Sequence, residues 1–246
     1  MKNIIYILLI VFLSSCTKKV YQVIETSSSD VAESENSYIF ENDDLKVSYN
    51  FWGEAGRMYF TVFNKTEKPI FVDLNRCHLI VNQKSFNYYS TDEKIETKFV
   101  LTSKKKVKQG SEVSYKTKMQ RIYEIPPQSY IEINQLFIMD NEFEFCELNK
   151  ISSKNFPFLI YTQKSSPFRF RNFITYDVNQ DFSTYETVDN VFWVSKVTNM
   201  YKKAFKGEKS KEKICPDDYK KKVIYQQPFF KPENFYFIFT KDNTIF

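Results

Sequence analysis

Glycine, histidine and cysteine are all scarce in this chain: 246 residues contain four glycines, one histidine and four cysteines. Few glycines means few places where the backbone can turn tightly against a ligand, so a phosphate-cradling loop or a nucleophile elbow is not indicated. A single imidazole, His78, cannot build a multi-histidine metal site, and no CxxC or Cys/His ligand spacing is present. His78 follows Cys77 directly on an expected strand, where neighbours point to opposite faces, so the two cannot work as a nucleophile and its base. Serine is common, but no serine sits in a G-x-S-x-G setting, and the spacing of Ser210 to Lys213 falls in a charged segment. Nothing in the sequence calls for a cofactor.

Long apolar runs are also missing, with one partial exception at the start. Lys2 is followed by an apolar stretch from Ile4 to Leu13, about half the roughly twenty residues needed to span a bilayer as a helix. A basic start, a short apolar stretch and small residues before a cysteine are the layout of a cleavable secretory signal. The residues Leu13-Ser14-Ser15-Cys16 resemble the lipobox of bacterial lipoproteins, a leucine and two small residues ahead of a cysteine that is acylated and becomes the first residue. The resemblance implies a signal peptide over 1–15, a lipid on Cys16, and a membrane partner reached through that lipid. Two or more acyl chains hold a protein firmly, at about 0.8 kcal/mol per buried methylene. Thr17-Lys18-Lys19 follows, with neither an aspartate next to the cysteine nor an acidic run after it, which favours the periplasmic face of the outer membrane over surface exposure.

Cleavage leaves about 230 residues, enough for one large all-β domain. They are rich in aromatics, 25 Phe and 17 Tyr in the whole chain, residues that favour strands and supply large core area. Residues 16–37 are polar and serine-rich and read as the lipidated cysteine with a flexible tether, whose typical reach would be about 25 Å. The domain is expected over 38–246. Val47, Tyr49 and Phe51 alternate with polar residues, and Met58, Phe60 and Val62 do the same after Gly53-Glu54-Ala55-Gly56, which predicts a β-hairpin. Further strands are expected at 70–74, 77–81, 86–89, from Ser129 through Ile133, at 158–162, 168–178, 191–197 and 235–239. Residues 199–213 suit either one short helix or a charged loop. The fold class is therefore mainly β. The order of turns and strand starts over 38–140 is similar to the immunoglobulin-like antiparallel β-sandwiches of many bacterial lipoproteins, and low glycine with high Lys, Asn and Phe resembles uncharacterised Bacteroidota lipoproteins. That likeness implies a fold and little about activity.

The net charge of +5 is modest and falls to +4 without Lys2, yet the basic residues are regional. Over 98–121, Lys98, Lys104, Lys105, Lys106, Lys108, Lys116, Lys118 and Arg121 face only Glu112, and the stretch of about 90–120 is read as a long basic insertion, a loop or an extended hairpin. Lys104, Lys105, Lys106 and Lys108, with Arg169 and Arg171 on a later strand, form the candidate binding surface for an envelope protein, glycan or lipid; nucleic acid is not an expected partner of an exported protein. Asp43 with Asp44, Asp217 with Asp218, and Glu142 with Glu144 are the visible carboxylate pairs for a glycan-acting hydrolase, but none has a marked acid or base partner, so no catalytic residue is assigned. Trp52, Trp193, Tyr88 and Tyr89 are candidates for a stacking platform, with core filling as the alternative. With Cys16 acylated, one internal disulfide is possible; Cys146 with Cys215 is the pairing considered, and Cys77 is expected to face the core.

Overall fold

The computed structural model describes residues 18–34, 37–90, 94–104, 107–117, 119–152, 156–213 and 221–241. In chain order the strands are β1 (Lys18–Ser28), β2 (Ala32–Ser34), β3 (Ser37–Glu41), β4 (Leu45–Tyr49), β5 (Phe60–Asn64), β6 (Ile70–Asp73), β7 (His78–Val81), β8 (Lys84–Asn87) and β9 (Lys94–Lys104). They continue as β10 (Val107–Thr117), β11 (Ile122–Ile125), β12 (Tyr130–Ile133), β13 (Phe158–Ile160), β14 (Arg169–Asp177) and β15 (Glu186–Tyr201). After the helical turn α1 (Lys202–Lys206) come β16 (Lys209–Lys213), β17 (Lys221–Tyr225) and β18 (Asn234–Lys241).

Two antiparallel sheets face each other as a β-sandwich. The smaller has the order β12-β5-β4-β3-β2; the larger curls through β11-β6-β14-β15-β1-β18, with β7, β8 and β13 attached along its edges. The expected β4–β5 hairpin is present, pairing Tyr49 with Phe60, and alternation sends Leu45, Val47 and Tyr49 inward. Between β7 and β8, Asn82 and Gln83 both take positive φ, 44° and 76°, which suits a two-residue hairpin turn whose twist matches the strands. The aromatic residues meet in the middle: Tyr49 and Phe51 from the small sheet lie 5.0 and 5.2 Å from Phe192 of β15, and Phe170 stacks on Phe192 at 5.0 Å. Ring pairs at these separations add specific geometry to the area they bury.

The stretch read as a tether is instead the centre of the fold. β1 lies between β15 and β18 in the larger sheet, with Val20 opposite Tyr201 and Phe239. Val20, Tyr21, Gln22, Val23 and Ile24 are all buried, because Ile24 faces the sandwich core while Tyr21 and Val23 face a second cluster on the outer side with Met200, Phe205 and Phe229. A strand covered on both faces has no polar alternation, so it carries no period-two signal. Its polar members are satisfied: Gln22 donates to the carbonyl of Phe143 (3.0 Å) and to Asn199 Oδ1 (2.9 Å), and accepts from the Phe143 amide (2.8 Å).

The second cluster is held by α1. Phe205 stacks on Tyr21 at 4.6 Å and on Trp52 at 5.8 Å, with Tyr236 at 4.9 Å, so the short helix is fixed to the outer face by one side chain. Of the two options for 199–213, the structure takes neither alone: β15 runs on to Tyr201, the helix is a single turn, and β16 follows. The basic insertion is a hairpin of β9 and β10 that pairs with no other strand among the described residues. Its roots are closed by the Ser90 amide, 3.5 Å from Met119 Sδ.

Candidate functional site

The candidate basic residues separate into two places. Lys104 and Lys108 lie on β9 and β10, near the tip of the insertion hairpin, far along the chain from Arg169 and Arg171 on β14; Lys105 and Lys106 fall outside the described residues, as does Cys16. At the start of β14 polar and apolar residues alternate, with Arg169 exposed, Phe170 buried and Arg171 half-exposed, but from Ile174 to Asp177 every residue is buried, Thr175 included. The two arginines share a face and line a groove of about 430 Å³ with Ile80, Asn82, Gln83 and Ser166.

The arginines in this groove are not equivalent. Arg171 is clamped by Asp189 on the neighbouring strand through two hydrogen bonds, Nε to Oδ1 at 2.9 Å and Nη2 to Oδ2. The Asp189 hydrogen bonds are the main cause holding the Arg171 guanidinium above its ordinary pKa. Its charge is cancelled in place. Arg169 gives one N–H to the carbonyl of Lys164 at 2.9 Å, and its amide donates to Asn82 Oδ1 at 3.1 Å, which ties the β7–β8 turn to β14. An anion-binding face of two cations is therefore reduced to one uncompensated guanidinium beside two amides and a hydroxyl, an arrangement suited to a single polar group on a partner.

The chemistry-bearing residues named from the sequence do not converge. Cys77 is fully buried, its sulfur accepting from the Thr175 amide at 3.3 Å, and burial pushes its thiol up to about 12. His78 is half-exposed on the other face of the chain and sits 3.0 Å from Ser85 Oγ across the hairpin. Cys146 is an exposed free thiol, and Cys215 lies outside the described residues. Asp43 and Asp44 occupy the β3–β4 turn, where Asp44 accepts from the Tyr176 hydroxyl at 3.0 Å; Glu142 and Glu144 lie in the loop after β12; Asp217 and Asp218 are outside the described residues. Among the described residues no group of three or more His, Cys, Asp or Glu is placed to hold a metal.

Of the aromatic candidates, Tyr88 is buried, with its hydroxyl on Asn172, while Trp52 is half-buried in the cluster around Phe205, and Trp193 and Tyr89 are half-buried.

Sequence reasoning missed a second basic place. Where β1 begins, Lys18, Lys19, Tyr201, Lys202 and Lys203 surround a cleft of about 680 Å³, and Lys202, Lys203, Lys206 and Lys209 continue into an adjoining one of about 640 Å³. Lysines from positions 18–19 and 202–209 meet because Val20 pairs with Tyr201. That pairing is invisible in local sequence. Local sequence shows one part of this basic place alone, the density of lysines at 202, 203, 206 and 209.

No protein-family model, curated protein or solved structure matches the chain. No helix among the described residues is long and apolar enough to cross a membrane.

Proposed function

We propose that this protein is a lipid-anchored module of the bacterial cell envelope, held by Cys16 and acting without catalysis by presenting its sandwich to an envelope protein, glycan or lipid. The observation that carries the reading is Leu13-Ser14-Ser15-Cys16 at the end of the short apolar run Ile4 to Leu13. A run of that length serves export and processing, and the cysteine then supplies the anchor. The periplasmic face of the outer membrane is the location favoured by Thr17-Lys18-Lys19. Two features support a binding rather than a catalytic role. The candidate carboxylate pairs that are described sit in separate turns and loops, and the polar side chains that do share a groove are Arg169, the paired Arg171, the amides of Asn82 and Gln83 and the hydroxyl of Ser166. A sandwich that carries lipid inside is disfavoured because Tyr38, Tyr49, Phe51, Phe60, Phe170 and Phe192 occupy the space an acyl chain would need.

Metabolic labelling with a palmitate analogue tests the anchor. Wild-type protein is expected to take up label and Cys16→Ala to take up none; equal labelling of the two overturns the reading. Crosslinking in living cells then asks for the partner, with Arg169→Glu expected to lose crosslinks that the wild type forms through the β14 groove.

A further inference from the structure

Because β1 starts at Lys18, Cys16 is two residues from a fixed strand, a reach of at most about 7 Å even when fully extended. A lipid there leaves the domain no freedom to stand away from the bilayer. Whatever surface surrounds the start of β1 must meet the headgroups. That surface is the double cleft of Lys18, Lys19, Lys202, Lys203, Lys206 and Lys209, in which Glu208 is the one acidic lining residue among the described residues.

The lysines are held in place. Phe205 pins α1 between Tyr21, Trp52 and Tyr236, so Lys202 and Lys203 are turned outward and exposed. Lys18 Nζ lies 5.7 Å from the Tyr201 ring centre and Lys206 Nζ 4.7 Å from that of Tyr225, contacts that orient an ammonium without cancelling its charge. The carboxylates that do form ion pairs among the described residues pair with other cations, such as Glu25 with Lys196 and Glu41 with Lys65.

We propose that this lysine face is a docking surface for anionic phospholipid headgroups, and that it seats the domain flat on the membrane with one fixed orientation. The inference rests on the anchoring role of Cys16 for its setting, yet the face can be tested without the lipid. Each lysine brought to an anionic surface strengthens partitioning by about fivefold, and the effect is screened by salt.

The test uses an unacylated chain beginning at residue 17, which keeps every described strand, in cosedimentation with vesicles of phosphatidylglycerol and of phosphatidylcholine. Binding to phosphatidylglycerol that weakens as salt rises, with none to phosphatidylcholine, is expected. Lys202→Glu combined with Lys203→Glu is expected to weaken it by about a hundredfold or more, whereas Lys104→Glu with Lys108→Glu, the same change in net charge on the insertion hairpin, is expected to leave it within about twofold. Equal binding to the two lipids, or equal loss from the two double variants, overturns the proposal. Lys202 and Lys203 are exposed, and circular dichroism of each double variant checks that the fold is retained. Palmitate labelling reads the anchor separately, so failure of the lysine face and failure of acylation are distinguishable.

Discussion

At the residue scale the two sheets are joined by a directed chain of hydrogen bonds through the core. Tyr88 donates to Asn172 Oδ1 (2.8 Å), Asn172 Nδ2 to the Tyr49 hydroxyl (3.1 Å), Tyr49 to Asn190 Oδ1 (2.6 Å), and Asn190 Nδ2 to Asp30 Oδ2 at the surface (2.9 Å). Tyr49 comes from the small sheet and the two asparagines from the large one, so the chain fixes how the sheets face each other. Burial drives the Tyr49 phenol far above its ordinary pKa, so it remains a donor at every physiological pH. Tyr49→Phe leaves Asn172 without its acceptor and Asn190 without its donor, and is expected to cost about 2–4 kcal/mol in urea unfolding; Tyr88→Phe, at the end of the chain, should cost about half that. Glu33 gives a prediction of the opposite sign. Desolvation, and then the charge of Glu233, raise its pKa above 4.5. A carboxyl raised on folding contributes stability that is complete in acid and is lost as pH rises through its folded pKa. Glu33→Gln should therefore raise the melting temperature at neutral pH and leave it unchanged in acid, by less than about 1 kcal/mol because the group is largely exposed and solvent-screened.

At the scale of elements, β1 separates two descriptions of the N-terminal region. If residues 18–28 were a tether, a substitution there would leave stability untouched. Ile24 instead is fully buried in the main core on a strand bonded on both sides, so Ile24→Ala is expected to cost about 2–5 kcal/mol by thermal or urea unfolding. The strand was hidden for a physical reason. Its apolar residues Tyr21 and Val23 face one core and Ile24 the other, and Gln22 and Thr26 are buried polar groups matched by partners 177 and 207 positions away. β4, β5 and the first half of β14, which show polar and apolar faces, were legible for the complementary reason. Their inward residues are the ones alternation selects, and the outward Arg169 and Arg171 line the β14 groove. The neutralisation of Arg171 was not legible, since Asp189 reaches it only through the β14–β15 register, Arg171 opposite Val191.

At the scale of the whole molecule, the basic hairpin is an appendage and the lysine face is part of the body. Because β9 and β10 pair only with each other among the described residues and Ser90 already meets Met119, replacing 91–118 with a short Gly-Ser turn is expected to leave the melting temperature within about two degrees, less than a 1 kcal/mol change would produce in a domain this large. A large loss on that replacement would show that the hairpin packs on the sandwich. By itself the sequence determined the mainly β class and the strands with one wet face, because each is written in local composition or in a period of two; the short apolar run ahead of Cys16, on which the proposed anchor rests, is a local feature of the same kind. Tertiary structure alone decided that the serine-rich N-terminal stretch is a central strand, that Arg171 is already paired, and that lysines nearly two hundred positions apart share one surface. Those outcomes depend on which strands become neighbours, and strand pairing is set by the burial of both sheets together, which no local window of sequence contains.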